Sequence, residues 1–111
     1  MPAETTPPAT PEKLSGKAKK HLRGLGHHLQ PVVYIGREGI TDPVLRTTKE
    51  ALRAHELIKI KLGQNCPLDK HSAAEAIALQ AEAILVQLLG KTILLYVPNP
   101  DLPEKKRIRL G

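Results

Sequence analysis

The chain has 111 residues, a formal net charge of +6 and a pI near 9.7. A chain of this length supports one domain, and its charge favours a polyanionic partner such as nucleic acid over an acidic membrane surface. The single cysteine, Cys66, excludes an internal disulfide and is typical of a reducing compartment. With two tyrosines and neither Phe nor Trp, any RNA binding would depend on phosphate and shape contacts rather than on several stacked bases.

The first twelve residues form a Pro/Thr-rich segment with prolines at positions 2, 7, 8 and 11. This composition predicts a short disordered tail, so the folded domain is expected over residues 13–111. The segment lacks the basic start and apolar core of a secretory signal. No stretch has the length and apolar purity of a transmembrane helix. We therefore expect a cytoplasmic protein without a membrane partner.

The first predicted helix runs from about Lys13 or Ser15 to Leu25. Its apolar residues share one narrow arc, which predicts a core-facing stripe: Leu14, Ala18, Leu22 and Leu25. Cations occupy the remaining surface of this helix: Lys17, Lys19, Lys20 and Arg23. Gly24 and Gly26 are expected to end the helix.

A glycine loop follows the first predicted strand. The strand, Val32-Val33-Tyr34-Ile35, is β-branched and aromatic, which predicts burial, and the loop is Gly36-Arg37-Glu38-Gly39. Thr41 or Asp42 can cap the next helix, which has Pro43 in its first turn. Such an arrangement can bring bare N–H groups and a helix N-terminus close to a phosphate, because glycine has no Cβ to keep a sugar-phosphate backbone away. Alternatively, the two glycines only close a tight turn.

Two further segments add positive charge. The helix after the loop is predicted from Pro43 to Ala54. Its predicted core side is formed by Val44, Leu45, Thr48, Ala51 and Leu52. Arg46, Lys49 and Arg53 form a basic stripe on the other side, which is either a solvated face or, as its uniform sign favours, a binding surface. The next strand is predicted from the alternation of Ile58, Ile60 and Leu62 with Lys59 and Lys61, lysines that either face solvent or extend the basic surface.

The remaining segments predict a helix and a hairpin. The Ala-rich helix is predicted from Asp69 to near Glu82. Two apolar runs, 84–89 and 92–97, flank the turn Gly90-Lys91 and predict the hairpin. The cations after Pro98 suggest a flexible electrostatic arm: Lys105, Lys106, Arg107 and Arg109. The resulting order is α-β-α-β-α-β-β, an α/β fold in which the first two strands are parallel and the last two antiparallel.

Several stretches together resemble the CRM domain (chloroplast RNA splicing and ribosome maturation), most closely its stand-alone bacterial YhbY-like members. The matching stretches are residues 20–25 (KHLRGL), 31–33 (PVV), 35–41 (IGREGIT), 55–61 (HELIKIK) and 90–96 (GKTILLY). The resemblance implies a four-stranded mixed sheet similar to the C-terminal domain of translation initiation factor 3. Two positions depart from the family pattern, since members often have Gly at Glu82 and an arginine at Val97.

The resemblance also implies that the glycine loop is used on RNA, by analogy with KH domains. Bacterial members are linked to precursors of the large ribosomal subunit, which implies a monomeric assembly factor that binds ribosomal RNA. The residues expected to bind RNA are Gly36, Arg37, Glu38, Gly39, Arg46, Lys49, Arg53, Lys59, Lys61, Lys17, Lys20 and Arg23. A general RNA chaperone, an intron-splicing cofactor and a basic protein-interaction module remain alternatives.

An enzyme is disfavoured by the absence of a catalytic motif. Cys66 and His71 are close in sequence, but nothing supplies an orienting acid or an oxyanion site. The spacing of His27, His28 and His55 does not suggest metal ligation. The glycine loop lacks the Lys-Ser/Thr pair of a nucleotide-binding P-loop. We expect no cofactor, metal or small-molecule substrate.

Overall fold

The computed structural model describes residues 14–108, so the tail predicted for residues 1–12 lies outside the described residues, together with Lys13 and residues 109–111. The described elements are α1 (Gly16–Gly26), β1 (Pro31–Ile35), α2 (Asp42–His55), β2 (Leu57–Leu62), α3 (Lys70–Gln80), β3 (Ile84–Leu89), β4 (Thr92–Tyr96) and a short 3-10 helix (Glu104–Lys106). This order confirms the α-β-α-β-α-β-β prediction. Within residues 14–108, no helix is both long and apolar enough to span a membrane.

The four strands form one mixed sheet in the order β1-β2-β4-β3. β1 pairs with β2 in parallel, and β4 pairs antiparallel with both β2 and β3. The α/β fold class and both predicted strand orientations are confirmed. β4 lies between β2 and β3, and all four of its residues from Ile93 to Tyr96 are buried.

Helices cover the two faces of the sheet unequally. α2 and α3 pack on one face, over a core that includes Ile35, Ile60 and Ile93. α1 packs on the opposite face, where Leu22 contacts the cluster around Leu94. It packs on β2, β3 and β4, whereas Val32 and Tyr34 of β1 remain exposed on the same side. This incomplete cover creates an open surface beside the first strand.

The prediction that β1 is a buried strand is therefore wrong for one of its faces. Val33 and Ile35 are buried against the helices, whereas Val32 is 49% exposed and Tyr34 is 61% exposed. β1 is an edge strand, and α1 packs mainly on the neighbouring strands of that face. Apolar composition alone did not distinguish this half-open edge strand from a strand with two covered faces.

The end of α1 lies close to the predicted Leu25. Gly26 is the last residue of the helix, but neither Gly24 nor Gly26 takes the left-handed conformation of a glycine cap, and the capping residue is His27 in right-handed helical geometry. A Cβ on Gly26 would lie 2.8 Å from both methyl carbons of Leu94, so this glycine permits close packing of the helix on the sheet. Leu25, predicted to face the core, is 37% exposed and lines a surface groove.

Side chains cap the N-termini of all three α-helices. At α1, the Ala18 N–H donates to Ser15 Oγ at 3.0 Å. At α2, the Val44 N–H donates to Thr41 Oγ1 at 3.2 Å. Of the two capping residues that the sequence offers for α2, Thr41 and Asp42, the structure therefore uses Thr41. At α3, hydrogen bonds from Ser72, through its side chain and its backbone amide, lower the pKa of the Asp69 cap. These caps satisfy amides that the first helical turn leaves without partners.

The C-terminus of α3 lies where the sequence predicts it, just before Glu82. The helix ends at Gln80, and Glu82 takes a φ of 56°. This left-handed conformation is the one that favours glycine, which is the residue that family members often have at this position. Glu82 adopts this conformation although it has a Cβ.

A buried glutamate joins α2, β2 and the C-terminal segment. Glu56 is only 1% exposed, and its N–H donates to Leu52 O at 2.7 Å where α2 ends. Its carboxylate accepts hydrogen bonds from the N–H groups of Asn99 and Ile108. One side chain thus satisfies two amides that lie 43 and 52 positions further along the chain.

The predicted flexible arm after Pro98 is consequently wrong for the residues that are described. Residues 98–108 are held on the domain by Glu56, and Ile108 packs against the core cluster under α1; Arg109 lies outside the described residues. Burial, and then the charge of Glu56, raise the pKa of Tyr96, while Arg107 acts in the opposite direction. The basic charges of this segment are therefore part of the folded surface.

Replacing Glu56 with alanine should lower the free energy of unfolding by about 2–4 kcal/mol, because the amides of Asn99 and Ile108 lose a charged acceptor. Glu56→Gln retains one carbonyl oxygen and should cost less. Unfolding in urea, followed by circular dichroism, measures both changes. Identical midpoints for the wild type and both variants would show that this carboxylate does not hold the C-terminal segment.

Candidate nucleic-acid interface

The glycine loop forms a tight turn at the carboxyl end of β1. The Gly39 N–H donates to Gly36 O at 3.0 Å and closes the turn. Gly39 is buried and has a φ of 76°, a conformation that residues with a Cβ rarely adopt. The turn alone therefore requires glycine at position 39, so this residue does not by itself indicate a ligand.

The tip of the loop has the properties expected of a phosphate contact. Arg37 and Glu38 are both exposed. Among the hydrogen bonds of residues 14–108, none has the N–H of Arg37 or Glu38 as its donor. Two neighbouring amides and a guanidinium are thus available to an external anion, although the Glu38 carboxylate opposes an anion at the same place.

The N-terminus of α2 is less open than the sequence suggests. Pro43 has no N–H, and the Val44 N–H is already bonded to Thr41 Oγ1. Asp42 retains its amide in the first turn, but its exposed carboxylate would repel a phosphate. The geometry therefore favours the loop tip over the helix end as the place where an anion binds.

The cations of α2 form an exposed stripe, as predicted. Arg46, Lys49 and Arg53 are all exposed, while Thr48 and Leu52 are buried on the side of the helix that faces the sheet. We call these three cations the α2 surface. Lys49 and Arg53 also line a hollow of about 290 Å³ at the end of α3.

The remaining predicted cations lie on the opposite side of the sheet. Ile58, Ile60 and Leu62 are buried under α2 and α3, so the alternating side chains of β2 point to the face that α1 covers. Lys61 is exposed there, and Lys59 is half-buried. The cations of α1 lie on the same side. We call the following five residues the α1-side surface: Lys17, Lys20, Arg23, Lys59 and Lys61.

Lys59 and Lys61 therefore do not continue the α2 surface, and whether they bind RNA stays a prediction. The sheet separates the two groups because alternate residues of β2 point to opposite faces. The glycine loop lies at the end of the sheet, where both faces meet. It directly precedes α2, and the strand that leads into it pairs with the part of β2 that carries Lys61.

Two residues near the carboxyl ends of β1 and β2, Tyr34 and Lys91, were not predicted from the sequence to belong to the candidate interface. Lys91 is exposed in the β3–β4 turn, and its carbonyl accepts from the Leu62 N–H at 2.8 Å, which places it beside the carboxyl end of β2. Tyr34 lies on the open face of β1 and pairs in register with Lys61. The position of Lys91 depends on the pairing of β4 with β2, and no pattern in the sequence predicted that pairing. The alternation of Val33 and Ile35 with Tyr34 is a signal that could have indicated an outward-facing ring.

The candidate catalytic and metal-ligating residues are dispersed. Cys66 is half-buried and packs against the main core cluster, and His71 is exposed. His27 and His28 meet edge to face with ring centroids 6.3 Å apart. Within residues 14–108, no three His, Cys, Asp or Glu side chains are grouped so that they could hold a metal ion.

Comparison with known proteins gives relatives that match most of the chain. "Probable RNA-binding protein YqeI" of Bacillus subtilis is 42% identical over 97 residues, covering 87% of this chain and 98% of the relative. An "RNA-binding protein" of Haemophilus influenzae is 41% identical over 96 residues, covering 83% of this chain and 97% of the relative. The solution structure of SAV1595 from Staphylococcus aureus, described as a candidate RNA-binding protein, has a TM-score of 0.71 and 34% identity, covering 88% of this chain and 99% of that one.

A family match covers most of the described residues. The profile of the CRS1 / YhbY (CRM) domain matches residues 14–96, from the start of the α1 region to the end of β4. This match confirms the family predicted from the glycine loop and the strand motifs. The chain belongs to the CRS1/YhbY (CRM) domain family.

Proposed function

We propose that this protein binds RNA, and that its partner is ribosomal RNA in precursors of the large ribosomal subunit. The observation that carries the proposal is the exposed loop tip, with the amides of Arg37 and Glu38 available, between cationic surfaces on both faces of the sheet. The names of the relatives support RNA binding, and the resemblance to YhbY-like proteins supports the ribosomal partner. In this proposal the protein is a cytoplasmic, monomeric assembly factor without catalytic activity.

The loop tip is the expected centre of the contact. Its two amides would hold one phosphate, while the α1-side surface and the α2 surface neutralise phosphates on either side. Lys91 adds a cation at the same end of the sheet. Most of these contacts are with the backbone, so affinity would depend on charge more than on sequence.

The first prediction is that binding weakens steeply with salt. For single strands, the logarithm of affinity should fall against the logarithm of salt concentration with a slope of about −0.7 per neutralised phosphate. Replacing Lys17, Lys20 and Arg23 with glutamine should reduce the magnitude of the slope by about 2, since each cation neutralises one phosphate. The same test on Arg46, Lys49 and Arg53 measures the contribution of the α2 surface. A slope near zero for the wild type would contradict an electrostatic interface.

The second prediction concerns the loop tip. Changing Arg37→Asp together with Glu38→Asp leaves both glycines intact but lowers the net charge by 2. RNA affinity should fall by about tenfold or more through repulsion, equivalent to about 1.4 kcal/mol, while the melting temperature hardly changes because exposed charges contribute little to folding. Filter binding and thermal unfolding measure the two quantities.

The matched control for the loop variant is Lys105→Asp. This change lowers the net charge by the same amount at an exposed site of the 3-10 helix. That site belongs to the segment held by Glu56 at the start of β2, whereas the loop lies at the other end of the sheet. The control should retain most of the affinity. Equal losses in the two variants would mean that net charge matters and the loop does not.

The third prediction separates the ribosomal role from the alternatives. In cell extracts, the protein should sediment with precursors of the large subunit and should be released from them when the RNA is digested. A protein-interaction module would remain on the particles after digestion. A general RNA chaperone or a splicing cofactor would be spread over other RNA-containing fractions, and that distribution would contradict the proposed partner.

A further inference from the structure

Tyr34 is an exposed aromatic side chain on the open face of β1. It is 61% exposed, whereas Tyr96, the other tyrosine of the chain, is buried. On that face α1 packs mainly on β2, β3 and β4, and Tyr34 lies on the edge strand beside them. A large aromatic residue left exposed on an otherwise well-packed sheet calls for an explanation outside the fold.

Two glycines hold one edge of the Tyr34 ring in place. A Cβ on Gly63 would lie 2.0 Å from Tyr34 Oη and 2.6 Å from Cζ, and a Cβ on Gly36 would lie 3.1 Å from Cε2. The ring therefore runs across the backbone of both glycines, at the carboxyl ends of the two parallel strands. Contact with rigid backbone restricts the ring before any ligand binds, so less side-chain entropy is lost on binding.

The surroundings of the ring combine apolar surface with positive charge. An open depression of about 530 Å³ is lined by Pro31, Val32, Val33, Tyr34 and Lys61. Lys61 is the register partner of Tyr34 on β2. Gly36, under one edge of the ring, is also the first residue of the glycine loop. An aromatic ring beside a lysine and next to the loop proposed to bind phosphate matches the chemistry of a nucleotide.

We propose that Tyr34 stacks on one unpaired base of the bound RNA, while Lys61 neutralises an adjacent phosphate. This inference rests on the proposed RNA-binding function and adds that the RNA is single-stranded at this point. Bases inside a duplex are already stacked and paired, so a ring on an open sheet face cannot reach their planes. The site would therefore prefer RNA that is unpaired beside the loop. It would not discriminate between the four bases, because every base has a face on which to stack.

Three variants test the stacking contact. Tyr34→Val removes the ring but keeps a β-branched residue that suits a strand, and it should weaken binding to an unpaired oligoribonucleotide by about tenfold. Tyr34→Phe keeps the ring and should bind nearly as the wild type does. Gly63→Ala leaves Tyr34 unchanged but displaces its ring, since the new methyl group would overlap Oη, and it should also weaken binding. A blunt RNA duplex is the control ligand, for which all three variants should match the wild type.

Tyrosine fluorescence provides a direct readout of stacking. Because the chain has no Trp, its emission arises from Tyr34 and Tyr96, and Tyr96→Phe leaves Tyr34 as the only source. Unpaired RNA should quench the emission of the Tyr96→Phe variant. It should leave the emission of Tyr34→Phe, which comes from the buried Tyr96, nearly unchanged. Thermal unfolding of each variant establishes that it is folded before the titration.

The outcomes separate this inference from the function on which it rests. If Tyr34→Val binds unpaired RNA as tightly as the wild type, while the doubly acidic loop variant loses affinity, the stacking contact is overturned and RNA binding stands. Equal losses on unpaired and duplex RNA would also overturn it, since stacking requires a free base. If the wild-type protein binds neither RNA at low salt, the proposed function itself fails.

Discussion

Parallel pairing of β1 with β2 requires a crossover connection, and α2 supplies it on one face of the sheet. This constraint fixes the rest of the interface. The glycine loop must lie at the carboxyl end of β1, where the chain turns into the helix, and the alternate residues of β2 must point away from α2. The cations of α2 and the lysines of β2 are consequently on opposite sides of the sheet, and the loop is where the two sides meet.

The two ends of the sheet differ in the hydrogen bonding of their backbone amides. At the start of β2, Glu56 satisfies the amides of Asn99 and Ile108 and holds the C-terminal segment over the core. At the other end, the amides of Arg37 and Glu38 have no internal acceptor among the described residues, and Tyr34 is exposed. The loop tip therefore lies away from the hydrogen bonds of Glu56, which is why substitutions at the loop tip are expected to affect binding more than stability.

Local patterns in the sequence were sufficient to predict the element order, the strand orientations and the exposed stripe of α2. These features depend on residues that are close together in the chain. Thr41, for example, caps the helix that directly follows it, and Gly90 forms the turn between two consecutive strands. Features set by long-range pairing could not be predicted. The inner position of β4 depends on hydrogen bonds to β2, and the exposure of Tyr34 depends on how far α1 extends across the sheet. The structural role of Glu56 could not be predicted either, because its hydrogen-bond partners lie 43 and 52 positions away in the chain.

The central claim is that RNA contacts the loop tip and the open face of β1 and β2. A titration of isotopically labelled protein with an unpaired oligoribonucleotide, followed by the NMR shifts of the backbone amides, tests it most directly. The account predicts the largest shifts at Arg37 and Glu38, with smaller ones from Tyr34 to Gly36 and from Lys59 to Lys61, and little change in residues 99–108. Shifts confined to α3 and the outer edge of β3, with the loop amides unmoved, would contradict the account.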